Sequence, residues 1–262
     1  MSEPLLEIDR VTKRFGRVVI AEDVSLAVSP GDTVGIVGPN GAGKTSLFGL
    51  ISGDLAPDGG QVRFAGRTVT KLDAAARCRL GVGRTYQVPR PFGDMTVFEN
   101  LLVAAQQGAG LRRRASYAAA VEALERAGIS DQANVAAERL GLLQRKRLEL
   151  ARALATRPTL LLLDEVAGGL TDPEVAQLVE IVRGVNADGT AVIWIEHVVR
   201  ALTAVVGRLI CLSGGTFVGD GEPSAVLADP AVREVFLGTE VTAALAGGSL
   251  EAPGGDGERG EP

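Results

Sequence analysis

The chain has 262 residues, 46% of them hydrophobic, with 27 Lys+Arg against 32 Asp+Glu, a net charge of −5 and a pI near 5.1. Mean hydropathy of +0.19 with 23% charged residues excludes a disordered chain. The acidic balance argues against a general nucleic-acid binder, so no nucleic acid is expected among its partners. No apolar run approaches the roughly 18 residues of a membrane span. The N-terminal MSEPLLEIDR has no basic segment followed by a long apolar one, so no signal peptide is expected and any membrane role should be peripheral. Cys78 and Cys211 stand alone without metal spacing, which argues against a zinc site or a disulfide framework; two buried thiols in a reducing cytoplasm are expected.

In chain order, residues 5–9 (LLEID) read as a short strand and Val18–Val28 as a longer one. Pro30, Gly31 and Asp32 form a turn signal before the apolar strand Thr33–Val37, and Lys44–Ser52 reads as a helix. QVRFAGRTVT, after a Pro-Asp-Gly-Gly turn between strand-like pieces, looks like a hairpin arm. From about residue 88 to 157 strand patterns vanish, and residues 97–107, 117–127 and 144–155 read as helices. Strands then return at 159–163, 190–195 and 208–212, with helices at 173–185 and 198–205 between them. Strands alternating with helices predict a parallel α/β sheet into which a helical block is inserted. The last residues, 243–262, are rich in Gly, Pro and acids and are expected to form a flexible tail.

Gly38, Pro39, Asn40, Gly41, Ala42, Gly43, Lys44 and Thr45 fit G-x-x-x-x-G-K-[ST], with Ser46 next in the helix. Glycines let successive backbone N–H groups wrap phosphate oxygens, and the helix that follows turns its positive end to the same anion. Lys44 supplies a charge to the β/γ-phosphates and the Thr45 hydroxyl a ligand for Mg²⁺, so ATP and Mg²⁺ are the expected cofactors. The run TLLLLDE is a buried strand ending in two acids. Behind a phosphate loop, Asp164 fits the Mg²⁺ shell and Glu165 is placed to polarise the attacking water.

With GPNGAGKT and LLLLDE in this order, the chain resembles the ATP-binding subunit of an ABC transporter over about residues 5–238. The resemblance implies an α/β P-loop NTPase core of RecA type. It places the core in residues 1–87 and 158–242, with an N-terminal antiparallel β part and a helical subdomain at 88–157. It implies that Phe15 stacks on adenine, that Gln87 senses Mg²⁺ and the attacking water while its loop touches the membrane subunit, and that His197, the only histidine, contacts the γ-phosphate. It gives Glu165, His197 and Gln87 catalytic roles, and Gly169, Leu170, Thr171 and Asp172 the loop that crosses a dimer interface. GRTYQ, MTVFENL and VFLG resemble the ATPases of branched-chain amino-acid importers. Implied partners are transmembrane permease subunits, a second ATP-binding subunit and, indirectly, an extracytoplasmic solute-binding protein, with the chain at the cytoplasmic face of the membrane. An exporter cassette or an ABC-type ATPase without a permease would share the same chemistry.

One motif departs from the family. Where LSGGQ is expected, Gly141, Leu142, Leu143 and Gln144 follow Leu140. The serine hydroxyl is missing, and two leucines stand where glycines would allow close backbone approach. In the family this segment completes the partner's ATP site, so a heterodimer with one strong and one weak site is expected rather than a homodimer; the alternative is a subfamily that tolerates the variant, with the helix N-terminus sufficing. Val198 follows His197 where an acid is common. The basic run at Arg112, Arg113 and Arg114 reads as a solvated face.

Overall fold

The structure, a computed structural model, describes residues 3–236. The chain opens with β1 (Leu6–Phe15) and β2 (Val18–Val28), paired antiparallel with Leu6 opposite Val28 and Phe15 opposite Val18. β1 runs beyond its expected end at Asp9. A register irregularity between Ile8 and Val11, with Arg10 at φ 46, breaks the alternation and then lets pairing resume. β3 (Thr33–Val37), α1 (Lys44–Ser52), β4 (Gly59–Phe64) and β5 (Arg67–Thr68) follow. The segment expected to be one hairpin arm is itself a hairpin: β4 and β5 pair, turning through Ala65 and Gly66, both at positive φ. These outer strands make one antiparallel sheet in the order β2-β1-β4-β5.

The short α2 (Ala74–Leu80) was not legible as a helix. Its start is fixed by Asp73, whose carboxylate accepts from the Ala76 N–H at 2.8 Å. β6 (Val82–Arg84) leads to the helical stretch of α3 (Val97–Val103), α4 (Arg114–Arg126) and α5 (Leu142–Ala155). α3 opens on a capping box between Thr96 and Glu99. The expected single helix at 97–107 instead changes to a π turn over Ala104–Gly108. Gly108 packs there so closely that an added Cβ would lie 2.6 Å from the Thr156 Cγ2. Strands and helices then alternate: β7 (Leu160–Asp164), α6 (Asp172–Ala187), β8 (Ala191–Ile195), α7 (Val199–Thr203), β9 (Arg208–Ser213), β10 (Thr216–Gly221), α8 (Pro223–Ala228) and α9 (Pro230–Phe236). α7 is shorter than the expected 198–205, and no strand or helix after β9 had been read from the sequence. The expected tail, and Leu237 and Gly238 of VFLG, lie outside the described residues.

The second sheet runs β10-β9-β3-β8-β7-β6, parallel throughout except for the antiparallel edge strand β10. Its middle strands are buried on both faces, so period-two alternation sorts one apolar run into two cores. Leu160 and Leu162 pack with α1 and the antiparallel sheet, whereas Leu161 and Leu163 pack with the helical stretch and α6. Cys211 is buried as expected, but Cys78 is only partly so: it faces a cavity of about 190 Å³ between α1, α2 and α5. The architecture is the α/β P-loop core with an antiparallel β part and inserted helices. Because β3, β6, β7 and β8 are parallel, the segments leaving Val37, Arg84, Asp164 and Ile195 all emerge at one edge, where ligands of open α/β sheets bind.

Candidate functional site

The loop after β3 cannot be built from bulkier residues. Gly38 sits at φ 151, and a Cβ there would lie 2.0 Å from the Leu212 carbonyl oxygen; at Gly43, φ 100, it would lie 2.6 Å from that of Ile20. Glycine removes both clashes and opens α1 with free N–H groups facing the loop. Lys44 is buried, and its Nζ donates to the carbonyls of Gly38 at 2.8 Å and Pro39 at 3.0 Å. Burial lowers its pKa, while Glu165, Asp164 and Cys211 pull it back up.

An open cleft of about 400 Å³ is lined by Asn40, Gly41, Ala42, Lys44, Thr45, Gln87, Glu165 and His197. Residues far apart in sequence thus meet at the strand ends. Both Glu165 oxygens are engaged: Gln87 Nε2 donates to one at 2.5 Å, and His197 Nε2 lies 2.7 Å from the other. A carboxylate only accepts, so Nε2 carries the imidazole proton in this contact. Glu165 itself has φ 48, a left-handed conformation worth on the order of 1–3 kcal/mol of strain in a non-glycine residue. Its N–H donates to the Ile195 carbonyl at 2.9 Å, which ties β7 to β8 at the turn.

Asp164 is almost fully buried at the end of β7. Burial raises its pKa, and the Arg84 guanidinium, 3.2 Å away, draws it down again. Its Oδ1 is buried without a hydrogen-bond partner. That orphaned acceptor, beside the Thr45 hydroxyl, fits a hard cation that is completed by phosphate and water oxygens. Among the described residues no group of three His, Cys, Asp or Glu side chains could hold a metal, so a cation here needs a ligand to supply the rest of its shell.

The remaining expected residues are distributed as follows. Phe15 is no core residue: it is 50% exposed at the end of β1, with Lys13 Nζ 5.3 Å from its ring centroid, and it does not line the cleft. Ser46 is half-buried in the first turn of α1. Gly141 is the N-cap of α5 and offers no side-chain cap, so Leu142 and Leu143 make the first helical turn. Leu142 is exposed and reaches back to Gly169, where an added Cβ would lie 3.2 Å from its Cδ2. Thr171 and Glu174 close a capping box at the start of α6, and Asp172 pairs with Arg200 at 2.8 Å.

Four supporting residues escaped sequence reading. Arg84 spans Asp164 and Asp54, at 3.2 and 2.7 Å. Glu196 is buried, and its carboxylate accepts from the N–H groups of Ala167 at 2.5 Å and His197 at 3.1 Å, fixing the turns after β7 and β8. Burial raises its pKa, and these donors oppose the rise. Lys146 and Glu149, on α5, are also buried. An acid directly after the five-residue apolar strand β8 was the one usable signal, and it pointed to Glu196.

A family profile described as ABC transporter matches residues 21–168. The chain is 35% identical over 253 residues to LivG of Escherichia coli K12, a high-affinity branched-chain amino acid transport ATP-binding protein, covering 91% of this chain and 99% of the relative. BraF of Pseudomonas aeruginosa, described in the same words, is 35% identical over 255 residues with the same coverage. A solved ATP-binding cassette of an ABC transporter in its ADP conformation superposes with a TM-score of 0.83 at 29% identity, covering 91% of this chain and 100% of that chain.

Proposed function

Since the chain belongs to the ATP-binding cassettes of ABC transporters, a family of ATPases, we propose that it powers uptake of a small solute, a branched-chain or related amino acid, by hydrolysing ATP in this cleft. The observation that carries the chemistry is Glu165 held between Gln87 and His197 at the mouth of the phosphate loop. The loop amides and Lys44 take the phosphates, and Phe15 offers an exposed aromatic face to the adenine. Mg²⁺ arriving with the nucleotide would neutralise charge on the β/γ-phosphates, and Thr45, the free Oδ1 of Asp164 and Gln87 are the groups to hold it. Glu165 accepts the proton of the attacking water, and His197, which lines the same cleft, is placed beside the γ-phosphate. Such positioning and charge stabilisation constitute nearly all of phosphoryl-transfer catalysis.

The assembly proposed is peripheral, at the cytoplasmic face of the membrane. Among the described residues no helix is long and apolar enough to cross a bilayer. The core is assigned to residues 1–87 and 158–242, of which 1–2 and 237–242 lie outside the described residues, and the helical subdomain to 88–157. The Gln87 loop faces permease subunits, and a solute-binding protein delivers cargo from the far side. Gly169, Leu170, Thr171 and Asp172 cross to a second cassette. Gly141, Leu142, Leu143 and Gln144 are presented to that partner's ATP. With two leucines and no hydroxyl there, the partner's site is weakened by about 1.5–3 kcal/mol, the worth of one charge-assisted hydrogen bond. The favoured partner is therefore a different cassette with an intact signature.

The direct test is a mild-detergent pull-down of the tagged chain from its native membranes, read by mass spectrometry. Permease subunits with a second, intact-signature cassette are the expected result. Permeases with this chain alone would remove the heterodimer, and no membrane partner would overturn the transport reading.

A further inference from the structure

Of the five charged residues of α5, three, Lys146, Glu149 and Arg152, are spaced three apart on one slanting stripe that faces the segment after β6. Lys146 Nζ donates to the Gln87 carbonyl at 3.0 Å. The Glu149 carboxyl, its pKa raised by burial, lies near the Tyr86 N–H, which draws it back down, on the other side of the Tyr86–Gln87 junction. Arg152 donates to the Arg90 carbonyl at 3.0 Å, stacks over Phe92 at 5.6 Å, and pairs with Glu149 at 2.8 Å. The stripe fastens the Gln87 loop mainly along its backbone, with the Phe92 ring as one side-chain contact.

Lys146 does more than the other two. The same Nζ donates to the Glu165 carbonyl at 3.1 Å. This is the carbonyl of the residue that adopts the left-handed backbone, and a charged donor fixes the orientation of that peptide. Lys146 is 5% exposed, and its ammonium lies among Glu196, Glu165, Glu149 and Asp164, whose charges oppose the lowering of its pKa by burial. A lysine in such a place is not a solvated helix face. One atom binds the two backbones whose side chains meet across the hydrogen bond from Gln87 to Glu165.

We propose that Lys146 is a positioning residue for hydrolysis, a shared anchor through which α5 sets Gln87 and Glu165 as a unit. The inference rests on the ATPase reading above. It also gives the helix that begins at the altered signature a direct mechanical connection to the catalytic pair: a shift of α5 moves both backbones together.

The test compares Lys146→Met and Lys146→Arg in the complex purified from native membranes through the tagged chain. ATP turnover and equilibrium binding of MgATP are measured for each. The expected result is a fall in kcat of at least about tenfold for Lys146→Met with affinity and KM within about twofold, and recovery of most of the rate in Lys146→Arg, which keeps a charged donor. Turnover of Lys146→Met near that of the wild type would overturn the proposal. So would a parallel loss of rate and affinity that arginine does not restore, because that marks a merely structural lysine. Where the methionine variant does not fold, Lys146→Gln is judged by the same two criteria. Failure of the underlying reading looks different: the wild-type complex itself would not hydrolyse ATP.

Discussion

Replacing Arg84 by methionine keeps much of the side-chain volume and removes the guanidinium from between two carboxylates. Asp54 is partly exposed, so its share of the pairing is worth no more than about 1 kcal/mol after solvent screening. Asp164 is 1% exposed and Arg84 9%, so the second contact is a buried one, and breaking it leaves an uncompensated carboxylate, at about 3–5 kcal/mol. Against a total stability of about 5–15 kcal/mol this is a large fraction. For a chain of this size it lowers Tm by about 6–20 °C, at roughly 2–4 °C per kcal/mol. Urea unfolding of the purified chain followed by fluorescence of Trp194, the only tryptophan, reads the effect where it occurs, because Trp194 in β8 pairs with Leu163 beside Asp164. Adding Asp164→Asn removes the stranded charge, and the double variant should recover at least about 1 kcal/mol relative to additivity. An Arg84→Met chain as stable as the wild type, or strictly additive losses, would refute the assignment of Arg84 as the structural counter-charge of Asp164.

Other expectations are equally concrete. Glu165→Gln should lower ATP turnover by about 10²–10⁴-fold while MgATP binding persists, as read by turnover and equilibrium binding on the same preparation; retained turnover would remove Glu165 as the base. Gly141→Ser with Leu143→Gly should raise turnover at the site this signature completes by about ten- to a hundredfold when the other site is silenced. The serine fits, because Gly141 has an ordinary φ of −69 and an added Cβ meets only the Gln144 Oε1, at 3.0 Å. Unchanged or lower turnover would show that the leucines are tolerated. Burial pushes the Cys211 thiol up to about 11. The folded state then holds a proton that the unfolded thiol, near 9, gives up, so stability should fall as pH rises from 9 to about 11. Cys211→Ala should flatten that slope in denaturant titrations.

What was legible in the sequence was whatever depends on neighbours along the chain. The phosphate loop is a contiguous string with one backbone requirement, and the Leu160–Leu163 run of β7 is unmistakable as a buried strand. β1 was cut short because its bulge at Arg10 breaks the period-two pattern on which strand reading depends. Lys146 and Glu149 went unrecognised for a different reason. A charge within a helical pattern reads as the solvent face, and only the approach of the Gln87 loop to α5, from far off in sequence, makes these positions interior. Glu165 was read from its place after an apolar strand behind a phosphate loop and Gln87 and His197 from resemblance, but that both carboxylate oxygens are taken up required the strand order.

The strand order also governs how the molecule is made. β3, which carries the phosphate loop, is flanked by β8 and β9: Thr33 pairs with Val192 and Val34 with Arg208. At roughly 5–20 residues per second, about 8–32 s of synthesis separate the emergence of β3 from that of its first neighbour. Throughout that interval TVGIV is an apolar strand with two bare edges on a nascent chain, whereas β1, β2 and β4 can already pair with one another. The nucleotide site is therefore among the last parts of the protein to assemble at the ribosome, and its oldest strand is the one most in need of protection until the C-terminal third arrives.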